Sequence, residues 1–179
     1  PGFAGGIDGF LLPGHVSAII GTEAYGFLAK KYKMGCVAAG FESVDILQGI
    51  LMLMNQKRPM VEIQYKRIVS PSGNPLARKI MDRVFEKCPS VWRGMGEVKD
   101  SGLKIRREFS EFDGALKFKV KLPRAHENRA CICGMILSGV KTPPECRLFA
   151  RQCTPVNPVG ACMVSAEGTC AAWYKYGRR

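Results

Sequence analysis

The 179-residue chain reads as an α/β protein: a parallel, doubly wound sheet of strand–helix units, followed by a loop- and helix-rich cysteine domain. Three observations predict this. Short apolar runs bounded by glycine and proline alternate three times with stretches of helical period. Beyond Pro89 that alternation stops. Six of the eight cysteines then fall between Cys131 and Cys170. The expected boundary separates an α/β domain at 1–115 from a cysteine-rich domain at 116–179.

The first unit places a buried strand over residues 7–12, a Pro-Gly-His turn, and a helix over 18–32 with Ser17 as N-cap, weakened by Gly21 and Gly26. The second has a strand over 36–40, a turn at Phe41, Glu42 and Ser43, and a helix over 44–56 that ends before Pro59. The third has a strand over 61–69, the loop S-P-S-G-N, and a helix over 75–87 with Asn74 as N-cap and Pro75 at the first helical position. Parallel neighbours need crossover connections, so three such units imply a parallel sheet. Ligands of these sheets gather at the carboxyl ends of the strands. That end carries His15, Glu42, Asp45, Ser72 and Asn74, expected to converge on one polar rim suited to an anion or small ligand. Further along, Trp92 beside glycines suggests packing at a junction, residues 102–112 a peripheral element, and 118–122 a half-exposed strand. Cys36 and Cys88 are expected to be buried apolar residues.

The composition is globular, with 46% apolar residues. The longest apolar stretch, near 46–54, is too short to cross a bilayer, so no membrane association is expected. No secretory or transit segment opens the chain, and a cytoplasmic location is expected. The chain starts at Pro1 in what reads as the approach to a strand, and it is expected to be a fragment with sequence missing upstream. The formal charge of +12 is spread along the chain without a basic stripe interleaved with aromatics. Solvated helix faces, or an acidic protein partner, are therefore expected before nucleic acid.

The cysteine spacing is C-x-C-x12-C-x6-C-x8-C-x7-C. It lacks C-x2-C knuckles and contains no histidine, which makes zinc the weaker reading. A cubane iron–sulfur cluster takes four thiolates and accepts irregular spacing, because its ligands come from separate loops. Four from six leaves two for a redox disulfide. In an extended C-I-C segment Cys131 and Cys133 point to opposite faces, so that one ligates while the other is held back. Pro143, Pro144, Pro155 and Pro158 stiffen the wrapping loops, and Gly134, Gly139, Gly160 and Gly168 allow turns and close approach. Thr154 and Asn157 are expected to hydrogen-bond thiolate sulfurs, and His126 is expected in a solvent-facing loop. Two rival readings are a zinc-stabilised basic nucleic-acid-binding module and a free-standing cluster-dependent disulfide reductase.

Several stretches together are more specific: G-F-L-L-P-G-H-V-S-A-I-I-G at 9–21, A-G-F-E-S-V-D-I-L at 39–47, W-R-G-M-G at 92–96, and the tail C-x-C-G, K-T-P-P-E-C-R-L-F, C-T-P and G-A-C-M-V-S-A-E-G-T-C-A-A-W-Y-K-Y-G. They resemble the hydrogenase maturation factor HypD family over nearly the whole chain. The resemblance implies a [4Fe-4S] protein that acts with HypC, and through it HypE and the hydrogenase large subunit. Its implied task is to scaffold assembly of the Fe(CN)2CO unit of nickel–iron hydrogenase, with His15, Glu42 and Asp45 lining the cleft for that iron. Ser43 stands where the family usually has proline, and the family's N-terminal domain with its C-G-x-H motif has no counterpart here. The tail is also similar in layout to ferredoxin-dependent thioredoxin reductase. That similarity implies Cys131, Cys146, Cys153 and Cys170 as cluster ligands, with Cys133 and Cys162 as the dithiol pair.

Overall fold

The computed structural model describes residues 7–92, 95–118 and 128–177. The chain divides into two compact units, Ile7–Val84 and the residues from Phe85 onward. The boundary read from the sequence, 115/116, falls inside the second of them.

In the first unit, β1 (Gly9–Pro13), β2 (Gly35–Ala39) and β3 (Val61–Ile63) form a parallel sheet with β2 in the centre. The register runs from Gly9 opposite Gly35 to Pro13 opposite Ala39, and from Cys36 opposite Val61 to Ala38 opposite Ile63. β2 is buried along its whole length. Side chains alternate across a strand, so the sheet has two apolar faces. Leu12, Cys36 and Ala38 pack with Leu28 and Val69 on one. Leu11, Val37 and Ala39 meet helix α3 (Ser43–Asn55) on the other, where Gly49 permits close approach: a Cβ there would stand 3.0 Å from that of Ala39. Helices thus cover both faces, as the α/β class requires.

The helix expected over 18–32 is broken in two. α1 (Gly14–Ile20) and α2 (Gly26–Tyr32) flank a 3₁₀ turn at Glu23–Tyr25. Ser17 is no N-cap; it lies fully buried inside α1, where its hydroxyl donates to the Pro13 carbonyl at 2.8 Å. The break is Gly21, at φ +80°, which abuts Gly73, at φ +71°. A Cβ on Gly21 would stand 2.6 Å from the Gly73 nitrogen. Both the left-handed dihedral and the backbone contact exclude a side chain. Gly21→Ala is expected to destabilise this unit by about 1–3 kcal/mol, read as a lower midpoint in urea unfolding.

β3 ends at Ile63, well short of the strand expected over 61–69. Helix α4 (Pro75–Val84) starts as expected, with Asn74 Oδ1 accepting the Ala77 N–H at 3.0 Å. Helix α3 is apolar on a second side as well. Val44, Leu47, Ile50, Leu51 and Met54 are exposed, and its one charged residue, Asp45, is buried.

In the second unit, β4 (Phe85–Trp92) follows α4 directly and pairs antiparallel with β5 (Gly96–Ile105). This hairpin replaces the expected junction and peripheral element. Pro89 does not end the strand, because the register shifts between Cys88 and Ser90 and the irregularity accommodates a residue without an N–H. The Trp92 indole donates to Ser101 Oγ at 2.8 Å. Cys36 is fully buried, and Cys88 half-buried. A 3₁₀ segment (Arg107–Phe112) leads to the short α5 (Gly114–Lys117), capped by Asp113, which accepts the Ala115 N–H at 2.8 Å. The strand expected over 118–122 lies almost wholly outside the described residues, as does His126. The tail then forms α6 (Cys133–Leu137), a 3₁₀ turn (Pro143–Glu145), α7 (Ala161–Val164) and α8 (Thr169–Tyr176). Among the described residues no helix is long and apolar enough to cross a membrane.

Candidate functional site

Cys133, Cys146, Cys153, Cys162 and Cys170 are buried in one cluster with Ile136, Leu148 and Met163, and Cys131 is half-buried against it. Short helices and tight turns, each closed locally, deliver these thiols. The Thr142 N–H and hydroxyl donate to Glu145 at 2.7 and 3.0 Å, and Lys141 pairs with the same carboxylate at 2.7 Å, which fixes the turn before Cys146. These contacts, Lys141 first and then Thr142, push the Glu145 carboxyl from its ordinary 4.5 down to about 2. A carboxyl with a lowered pKa stabilises the fold above its unfolded value and loses that contribution as the pH falls through the folded one. The window is therefore pH 4.5 to about 2. Glu145→Gln is expected to flatten the acid limb of an unfolding curve across that window, by fluorescence-monitored acid titration.

The chain turns back at Ala150, whose φ is +57°, and the Cys153 N–H donates to the Leu148 carbonyl at 2.9 Å. Thr154 and Asn157 do not reach sulfur: they bond each other through backbone and side chain, and the Asn157 amide donates to the Gln152 carbonyl at 3.0 Å. Their polar groups close the 154–157 turn. A backbone donor to sulfur is Val159, whose N–H points at Cys153 Sγ at 3.4 Å.

The C-I-C segment is not extended. Cys133 already begins α6, after Ile132 at φ −97° and ψ 27°, so Cys131 and Cys133 turn to the same group of thiols. The eight cysteines are free thiols. The Cys162 Sγ donates to Cys170 Sγ at 3.0 Å, and Cys133 belongs to the same buried cluster. Gly168 permits this, because a Cβ there would collide with the Cys162 carbonyl. Burial pushes the thiols of Cys162, Cys170 and Cys131 up from their ordinary range; at Cys131 the backbone N–H of Cys133 opposes it. Binding a metal here would displace protons.

Among the described residues no group of three or more His, Cys, Asp or Glu side chains is closed up on a point where one metal ion could sit. A cubane takes its four thiolates on four irons, which spreads the ligand sulfurs more widely than a single ion does. The donor set fits such a group: soft thiols on separate loops, an N–H on Cys153, and at Gly160 a cradle that a Cβ would fill.

The polar rim belongs to the first unit. The chain leaves β1 toward one sheet face and β2 toward the other, so the strand ends part in a crevice. A cavity of about 190 Å³ lies there, lined by Leu11, Pro13, Ala39, Gly40, Phe41 and Ile46. His15, in the first turn of α1, stands edge-on to Phe41 at 4.9 Å and to Tyr65 at 6.0 Å. Asp45 is buried, accepting from Gln64 Nε2 at 2.8 Å and Arg67 Nη2 at 2.9 Å. Gln64 Oε1 in turn accepts the Gly40 N–H at 3.2 Å, tying the exit of β2 to the first turn of α3. Glu42 is exposed at the N-cap position of α3, and its side chain makes no cap hydrogen bond. Asn74 caps α4, and Ser72 belongs to the Gly21–Gly73 turn contact. Gln64, Tyr65 and Arg67 are absent from the sequence reading. Arg67 lies over the Tyr65 ring at 4.8 Å, and its pKa is raised first by the Tyr65 side chain and then by Asp45.

The chain thus has an α/β unit with a polar strand-end rim and a unit that groups five buried thiols with a half-buried sixth. Residues 4–177 match the HypD family model, described as the hydrogenase formation hypA family. The chain is 49% identical over 176 residues to hydrogenase maturation factor HypD of Cupriavidus necator, covering 96% of this chain and 46% of that protein. It is 46% identical over 177 residues to HypD of Azotobacter vinelandii (97% and 47%), and 43% identical over 175 residues to HypD of Escherichia coli (96% and 47%). The chain belongs to the HypD family of hydrogenase maturation factors, and it spans about half the length of the curated relatives it matches.

Proposed function

We propose that this chain is an iron–sulfur and redox component of nickel–iron hydrogenase maturation. The observation that carries the reading is the grouping of six thiols, five buried and Cys131 half-buried against them, within the family match. Cys131, Cys146, Cys153 and Cys170 would hold a [4Fe-4S] cluster, which supplies single electrons when bound. Cys133 and Cys162 form the dithiol pair: as a disulfide they take up two electrons and two protons to become two thiols. The Val159 N–H, directed at the Cys153 sulfur, would hydrogen-bond a ligand of that cluster. The cargo is the Fe(CN)2CO unit, assembled with HypC and, through HypC, with HypE and the hydrogenase large subunit as further partners. At the strand-end rim, Glu42 and His15 meet cargo or partner groups, while Gln64 and Arg67 hold Asp45 and the loop after β2 in place.

Anaerobic reconstitution with iron and sulfide, followed by an absorption spectrum and iron, sulfide and zinc analysis, tests the reading. A brown protein with matched iron and sulfide is expected; a colourless zinc protein would overturn it. In a HypD-deficient host carrying the full-length family protein, the Glu42→Gln change is expected to impair hydrogenase maturation and leave the brown colour intact. Equal loss of both would give Glu42 a folding role instead.

A further inference from the structure

The backbone at Val159 and Gly160 lies against two of the six sulfurs. The Val159 N–H points at Cys153 Sγ at 3.4 Å. On the other side, Gly160 presents a bare Cα to the C-I-C segment: a Cβ there would stand 2.6 Å from Cys131 Sγ and 3.3 Å from Cys133 Cβ. The backbone itself does not call for glycine, because φ is −99° and ψ 156°, a conformation open to any residue. What excludes a side chain is the sulfur opposite. Cys131 is also the least buried of the six.

We infer that Gly160 is a positioning residue for the thiol group: its missing side chain is the seat of the Cys131 sulfur. With the adjoining N–H on Cys153, it sets how far apart two sulfurs from distant parts of the tail are held. A methyl group at 160 displaces Cys131 outward and leaves the other five thiols packed. The iron arm of the test below rests on the iron–sulfur reading; the melting arm does not.

The test uses the full chain and four proteins: the parent, Gly160→Ala, Cys131→Ala, and the double variant. Melting midpoints are measured without metal under anaerobic, reducing conditions. Gly160→Ala is expected to lower the midpoint of the parent by roughly 3–8 °C, from overpacking, and by less than half as much when Cys131 is already alanine. An equal loss in both backgrounds would overturn the assignment, since Gly160 would then serve the backbone or other neighbours. Should Gly160→Ala fail to fold, the double variant decides: folding supports the seat, and failure overturns it. In the second arm, iron and sulfide retained after reconstitution are expected to fall about tenfold in Gly160→Ala, at the low end of outer-shell effects. Retention equal to the parent's overturns the link from the seat to the cluster. A parent that takes up no iron and sulfide sinks the iron–sulfur reading and leaves the melting result to stand alone.

Discussion

Replacing Cys153 with alanine is expected to remove most of the iron and sulfide retained after anaerobic reconstitution, whereas Cys36→Ala retains as much as the parent. Both thiols are buried, so burial does not separate them. Their surroundings do. Cys153 sits in the cysteine cluster and accepts the Val159 N–H, a donor suited to a negative sulfur. Cys36 lies fully buried in β2, its thiol directed to the Met34 carbonyl at 3.7 Å and its pKa raised by burial, all of which suits a neutral packing residue. Iron and sulfide analysis with the visible absorption band checks the pair of variants. Equal retention by both would remove Cys153 from the ligand set.

The second large effect falls on stability. Met163 is 1% exposed and is, among the described residues, the largest of the fully buried side chains, packed among the tail cysteines. Met163→Ala removes several buried groups and leaves a cavity, at about 2–5 kcal/mol, while Met163→Leu conserves volume and is expected to stay below about 1.5 kcal/mol. Urea unfolding of the metal-free chain measures both. A small loss for alanine would mean that the cysteine unit collapses freely around the gap. The thiols would then owe their placement to local turns alone.

The three strand–helix units were legible because apolar period and glycine or proline punctuation agree there, and the six tail cysteines because their density is rare. Other features depend on contacts that spacing does not encode. The split of the 18–32 helix arises from the meeting of Gly21 with Gly73, far apart in sequence. The hairpin was hidden by Pro89, an ordinary stop signal that a register shift absorbs. The C-I-C segment is too short for its period to decide between strand and helix, and α6 starts inside it. Gln64, Tyr65 and Arg67 were covered by a strand read six residues too long, 61–69 against Val61–Ile63. Their signal was present, since a polar and aromatic run closes the third strand at the end where parallel sheets gather ligands. The sulfur donor at Val159 had none, because a backbone N–H looks alike at every residue.

Helix α3 is oily on its outward side as well as its inward one, on a molecule of formal charge +12. In dilute buffer the like charge holds copies of the chain apart; the Debye length is about 10 Å at 0.1 M and shrinks as salt is added. Turbidity of a purified solution should thus grow with ionic strength, opposite to the clearing that salt brings to a polycation aggregated with nucleic acid. Polar replacements at Leu47 and Leu51 would keep such solutions clear without altering a single thiol.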